Sequence, residues 1–150
     1  MKEFNKILFP LDLSEASPKL VPYVTLMARK FGSEVHLLFV ARVFEYFSGI
    51  YVPHPSISKF EDEIVEGAKK RLKEFTEEYF SDFPEARSEV VAGDISEEIL
   101  KYTVSKGIDL LILGTHGRKG LKKVVFGSVA ERVSKASPVP VLLVNPYKTS

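Results

Sequence analysis

Cysteine is missing from this chain altogether, which removes disulfides, thiolate metal sites and cysteine nucleophiles in one step. Net charge is nearly missing too. Twenty-one lysines and arginines against twenty acids leave +1, so no global field draws nucleic acid or an anionic membrane. No apolar run approaches the roughly 20 residues that a bilayer crossing needs. The opening MKEFNKILFP is too short and too polar at its flanks for a secretory signal. A soluble cytoplasmic protein without nucleic-acid or membrane partners is the expectation. Histidine is scarce as well: His36, His54 and His116 are too scattered to make a metal site by spacing.

Several phosphate and nucleophile signatures are also absent. Gly114, Gly117 and Gly120 stand three apart with no Lys-Ser or Lys-Thr pair after them, so the G-x-x-x-x-G-K-[ST] loop does not occur. A G-x-G-x-x-G fingerprint is missing, and it belongs after a first strand in any case. Ser128 in FGSVA has no glycine two positions on, which excludes a nucleophile elbow. A phospho-receiver domain wants an acidic pair after strand one and a lysine ending strand five; here stand a lone Asp12 and Asn145.

What remains is a regular alternation. KILFPLD (6–12), EVHLLFVA (34–41), SEVVA (88–92), IDLLIL (108–113) and VPVLLVN (139–145) read as short strands. Between the first two, Val21, Val24, Ala28 and Phe31 step at helical spacing over 17–31, Pro18 suits the start, and Gly32 is placed to end the helix. Pro22 fits less well and predicts a kink or a late start. Phe60, Ile64, Ala68, Leu72, Phe75 and Tyr79 mark a long amphipathic helix. Asp94 and Glu97 form a capping box for a helix stopped by Gly107, and a last helix follows Ser128 and ends before Pro138. Strands that are apolar throughout, alternating with helices, predict an α/β fold: one domain over 1–150 with a parallel sheet covered on both faces.

In such a sheet ligands bind at the carboxyl ends of the strands, near the reversal of strand order. GTHGRKGLKKVVFGS (114–128), after the fourth strand, carries four of the nine glycines and four cations, Arg118, Lys119, Lys122 and Lys123. Glycine lets backbone N–H groups approach a ligand, and the following helix offers unpaired N–H groups at its positive end. Ser128 is expected to be that helix's N-cap. These are the requirements of a phosphate cradle; glycines that only make turns and cations that only face water are the plainer reading of each part. His116 is read as orienting the loop through a backbone hydrogen bond. A triad of His116, Asp12 and Ser14 finds no support in their spacing, and no catalytic residue is assigned. Asp12 either faces the crevice or caps the next helix.

The chain resembles the universal stress protein family. Gly114-Thr115-His116-Gly117, nine residues, then Gly127-Ser128 is similar to that family's G-x2-G-x9-G-[ST] pattern, and Pro10-Leu11-Asp12-Leu13-Ser14 to its P-x-D-x-S. LLFVA, GDISEEIL and SPVPVLLV fall in the family's order, so the likeness runs over nearly the whole chain. The resemblance implies an adenine nucleotide alpha hydrolase-like fold, a doubly wound five-stranded parallel sheet of order 3-2-1-4-5, in the ATP-binding branch. It implies Pro10 and Asp12 beside adenine and ribose, and Val40 meeting adenine through its backbone. Gly114, Thr115, His116 and Gly117 would line the ribose and phosphate path, with Gly127, Ser128 and Val129 on the phosphates. Mg²⁺ would arrive on the phosphates, and a homodimer would form through the C-terminal edge strand. Phe39 and Ala41-Arg42 depart from the family's second-strand ending, and the aromatic loop FEYFSGIYVPHPS is individual: a lid, a partner surface or a loop tucked on its own helix. Three functions stay open: a nucleotide-responsive signalling protein with at most slow hydrolysis, a slow ATPase or phosphotransferase, and a nucleotide-independent interaction module.

Overall fold

The computed structural model describes residues 3–42, 55–117 and 125–148. Strand β1 (Lys6–Pro10) leads into α1 (Ser17–Phe31), β2 (Glu34–Ala41), α2 (Pro55–Tyr79) and β3 (Arg87–Ala92). Then follow α3 (Ile95–Ser105), β4 (Leu110–Gly114), α4 (Val125–Ala136) and β5 (Val141–Val144). All pairings are parallel, and the order is β3-β2-β1-β4-β5, as expected. Most of the aromatic loop, and the cations at 118, 119, 122 and 123, lie outside the described residues.

The apolar strands have a simple cause. Successive side chains of a strand point to opposite faces, and here both faces are covered. Ile7 and Phe9 of β1 pack with Leu20 and Val24 of α1 and Leu72 and Phe75 of α2. Leu8, between them in sequence, joins Ile99 of α3 and Val133 of α4 on the other side. Ile7, Leu8 and Phe9 are all fully buried, each side chain worth about 1.5–3 kcal/mol of transfer from water.

Several boundaries differ from expectation: β4 starts at Leu110 and β5 spans only Val141–Val144. The first strand stops at Pro10, with Leu11 and Asp12 already in the loop. Helix α1 neither starts late nor breaks at Pro22: it runs unbroken from Ser17 to Phe31. Pro22 faces solvent, so the carbonyl one turn back can turn to water instead of an amide. The Thr25 hydroxyl donates to Val21 O at 3.0 Å, adding a bond within the same turn. Gly32 ends the helix at φ 62°, the left-handed conformation that glycine adopts without penalty.

A polar cluster is built around buried His36. His36 of β2 lies with Nδ1 2.7 Å from the Tyr102 hydroxyl of α3. Its Nε2 approaches Glu34 Oε1 to 2.8 Å without an aligned hydrogen bond. Arg87 Nε holds the same carboxylate oxygen at 2.9 Å. Burial lowers the His36 pKa below its ordinary 6.5, with Glu34 opposing; burial, then the Glu89 charge, pushes Tyr102 up to about 12. An unfolded chain therefore takes up a proton below about pH 6.5 that folded His36 resists, so stability is lost as pH falls. The urea midpoint of the wild type is expected to drop more steeply between about pH 7 and 5 than that of His36→Gln, which keeps a partner for Tyr102 but does not titrate. Equal slopes would show that His36 titrates alike in both states.

Candidate functional site

Strand order reverses between β1 and β4, and the loops leaving both strands meet at the carboxyl edge. On the β1 side, Leu11 N donates to Leu38 O at 3.0 Å, carrying the pairing one residue past Pro10. The chain then turns around Asp12. Its Oδ1 accepts from Ser14 N at 3.0 Å and from the Ser17 hydroxyl at 3.2 Å. Asp12 thus closes an Asx turn and reaches the first residue of α1 without being its N-cap, a position held by Ala16. The turn forces Leu13 to φ 59°, a conformation that leucine rarely adopts. Arg71 of α2 donates to the Leu13 carbonyl at 3.0 Å and pins it from outside.

Val40 lies at the end of β2, buried and opposite Val91. The β1–β2 register stops at Pro10–Leu38, so the backbone of Val40 extends past β1 at the crevice.

On the β4 side the backbone is packed too tightly for side chains. A Cβ on Gly114 would stand 2.9 Å from Leu20 Cδ1 and 3.2 Å from His116 O. A Cβ on Gly127 would meet the Thr115 carbonyl at 3.3 Å. The structure thus brings the Thr115 carbonyl against the first turn of α4, although 127 and 115 are twelve residues apart. Ser128 is not the N-cap. Helix α4 starts at Val125, so Gly127 and Ser128 are its third and fourth residues, with Val129 buried behind them. Glycine costs little in a first turn, where amides lack intrahelical partners, and its bare backbone admits the Thr115 carbonyl. Gly127 therefore sits among the N–H groups at the positive end of the helix.

His116 is exposed, and Nδ1 lies 2.9 Å from the hydroxyl of its neighbour Thr115, a side-chain partner where a backbone one was expected. Gly117 is buried, and its carbonyl accepts from the Tyr147 hydroxyl at 2.5 Å. Tyr147, Arg71 and the strained Leu13 had drawn no attention in the sequence, because nothing local marks a contact made by the fold. After β3, Asp94 caps α3 by accepting from Glu97 N at 3.0 Å. The Glu97 carboxylate instead faces Arg132 of α4 at 3.5 Å, and Arg132 also holds Asp94 at 3.3 Å. Among the described residues no three His, Asp or Glu side chains cluster to hold a metal.

Leu13→Ile conserves volume and apolarity but branches at Cβ, where left-handed backbone tolerates it least. A loss of about 1–2 kcal/mol in urea unfolding is expected; unchanged stability would mean that the turn relaxes in solution.

Residues 3–145 match the model of the universal stress protein family. The chain is 31% identical to universal stress protein MJ0577 of Methanocaldococcus jannaschii over 94% of either chain. It is 32% identical to universal stress protein YxiE of Bacillus subtilis, over 94% of this chain and 99% of that one. The solved structure of MJ0577 superposes with a TM-score of 0.81 at 31% identity, covering 99% of this chain and 100% of that one. The fold also recurs in a universal stress protein solved in complex with cAMP, TM-score 0.62 at 18% identity over 97% of this chain and 99% of that one. It recurs again in one from Archaeoglobus fulgidus in complex with dAMP, TM-score 0.65 at 17% identity over 97% and 100% of the two chains. With its family pattern, sheet order and crevice in agreement, this chain belongs to the universal stress protein family.

Proposed function

We propose that the chain is a single universal stress protein domain that binds ATP at the β1–β4 crevice and works in the cytoplasm as a nucleotide-responsive signalling protein. One observation carries the reading: Gly127, in the first turn of α4, lies bare against the Thr115 backbone, leaving helix-terminal amides for an anion. In this reading Gly127, Ser128 and Val129 hold the phosphates, and Gly114, Thr115, His116 and Gly117 line the ribose and phosphate path. Pro10 and Asp12 sit by ribose and adenine, and the Val40 backbone meets adenine. The stress proteins of the same fold that hold cAMP and dAMP are consistent with an adenine nucleotide in this frame. ATP supplies a γ-phosphate and brings Mg²⁺ on its own oxygens, with few protein ligands. Hydrolysis is at most slow, because no residue is assigned as a general base.

Calorimetric titration with ATP and Mg²⁺ tests the reading. Micromolar binding is expected. Gly127→Val, whose side chain must enter the 3.3 Å space before the Thr115 carbonyl, should lose it by tenfold or more. Ser128→Ala, which removes only a hydroxyl, should weaken it about threefold to tenfold with little change in Tm. No heat from well-folded wild type would overturn the assignment.

The same reading includes a homodimer through β5. That strand is the sheet edge beyond β4, and Leu143 on it is 43% exposed, the situation in which edges find partners. Leu143→Lys is expected to convert a dimer to a monomer in sedimentation; a monomeric wild type would remove the dimer from the proposal.

A further inference from the structure

Beyond β5 the chain does not trail away. Asn145 Oδ1 accepts from Tyr147 N at 3.0 Å, and Asn145 O from Lys148 N at 3.2 Å, so the residues after the strand form a hydrogen-bonded turn. Val144, where the strand ends, is itself tied to the neighbouring loop, its carbonyl accepting from Thr115 N at 2.9 Å. The turn throws the Tyr147 ring back over the end of β4. There its hydroxyl donates to Gly117 O at 2.5 Å and its ring stands edge-on to His116, centroids 6.0 Å apart. Lys19 of α1 lies over the same ring, Nζ 5.0 Å from the centroid. One side chain outside the family's glycine pattern thus touches two residues inside it and one helix of the opposite wall.

We infer that Tyr147 is a positioning residue for the glycine segment: its phenol fixes the Gly117 carbonyl, and the fixed segment presents its backbone to the nucleotide. A peptide group is planar, so holding a carbonyl holds the whole group to which it belongs. Backbone amides bind an anion well only when their directions are set in advance, because setting them on binding costs affinity. Gly117 has no side chain with which to set its own direction, and the hydroxyl from the C-terminal turn does so instead. Burial first, then the charges of Glu15 and Asp12 and a hydrogen bond with Glu15, raise the phenol pKa above its ordinary 10, and a phenol of either value carries its proton at neutral pH.

The inference rests on the ATP reading for its consequence but not for the bond, and Tyr147→Phe separates the two. The ring, with its His116 and Lys19 contacts, stays; only the donor leaves. Hydrogen exchange of the residue 118 amide, the N–H of the peptide group to which the Gly117 carbonyl belongs, followed by NMR in the nucleotide-free protein, is expected to quicken about fivefold. ATP affinity should fall about fivefold in calorimetry with Tm unchanged, a separation that a merely structural role would not give. Tyr147→Ala, which also removes the ring, should lose at least as much, and Tyr147→Trp, with a donor misplaced, should not recover it. Unchanged exchange in Tyr147→Phe overturns the inference whether or not the wild type binds ATP. Quickened exchange with unchanged ATP affinity overturns it too, leaving the bond as local structure. Absence of ATP binding by the wild type removes the nucleotide reading, and in that case the inference falls with its ligand.

Discussion

Everything at the carboxyl edge depends on β1 being buried on both faces between β2 and β4. A strand in that position has no room for a polar side chain, and Ile7, Leu8 and Phe9 comply. The first polar residue can come only where the strand ends, and it is Asp12. The same holds for β4, buried along its length to Gly114, so its first hydroxyl and imidazole are Thr115 and His116. Because order reverses between these two strands, α1 and α4 leave them towards opposite faces, which opens a crevice between the loops. The crevice is a consequence of topology. Its chemistry is whatever the sequence places in the first few residues beyond it.

The two walls of that crevice are built on different principles. The β1 wall is rigid through side chains: Asp12 gathers Ser14 and Ser17, and Arg71 reaches across from α2 to hold Leu13 in its left-handed turn. A strained residue persists only where neighbours over-determine it, and three elements do so here. The β4 wall is defined by side chains that are absent. Leu20 fills the space beside Gly114, and the Thr115 carbonyl fills that beside Gly127, so the backbone itself becomes the surface. Such a surface offers only N–H and C=O groups, and what it recognises depends on which way they face.

Much of this was legible in the sequence, for identifiable reasons. Helix positions follow from hydrophobic period and from capping residues, both local: α1 closes at Gly32 and α3 opens after Asp94, as their end signals predict; the strand order was implied by the family resemblance alone. The glycine spacing pointed to the loop whose backbone packs bare against α4. Legibility failed where a residue's role is decided by something distant. Pro22 reads as a helix breaker until the fold shows that its face is solvent. Ser128 reads as a cap until the Thr115 carbonyl is seen beside Gly127 and the helix begins at Val125. Glu97 reads as half of a capping box, but Arg132 of α4 is there to take its carboxylate. Tyr147 and Gly117 are separated by 30 positions, and no periodicity joins them.

A ligand that spans the crevice would meet these two walls unequally. Asp12 is already fixed by bonds within its own loop and from α1, so a ligand contact there would cost little ordering. On the glycine side each backbone group must be aimed by something else, and the anchors come from chain far away: Val144 on Thr115 and Tyr147 on Gly117. Both belong to β5 and the turn after it. Orientation of the glycine wall therefore rests on the last strand of the sheet, the edge at which a second copy of the chain would pair. Any displacement of β5 would pass through the Val144 carbonyl and the Tyr147 phenol to Thr115 and Gly117, just beyond β4. The β1 wall is tied to α1 and α2 and meets the C-terminal turn through Lys19 over the Tyr147 ring. If affinity is governed by how well the wall is set before the ligand arrives, the C-terminal turn bears on it more directly than the many core residues that only hold the sheet together.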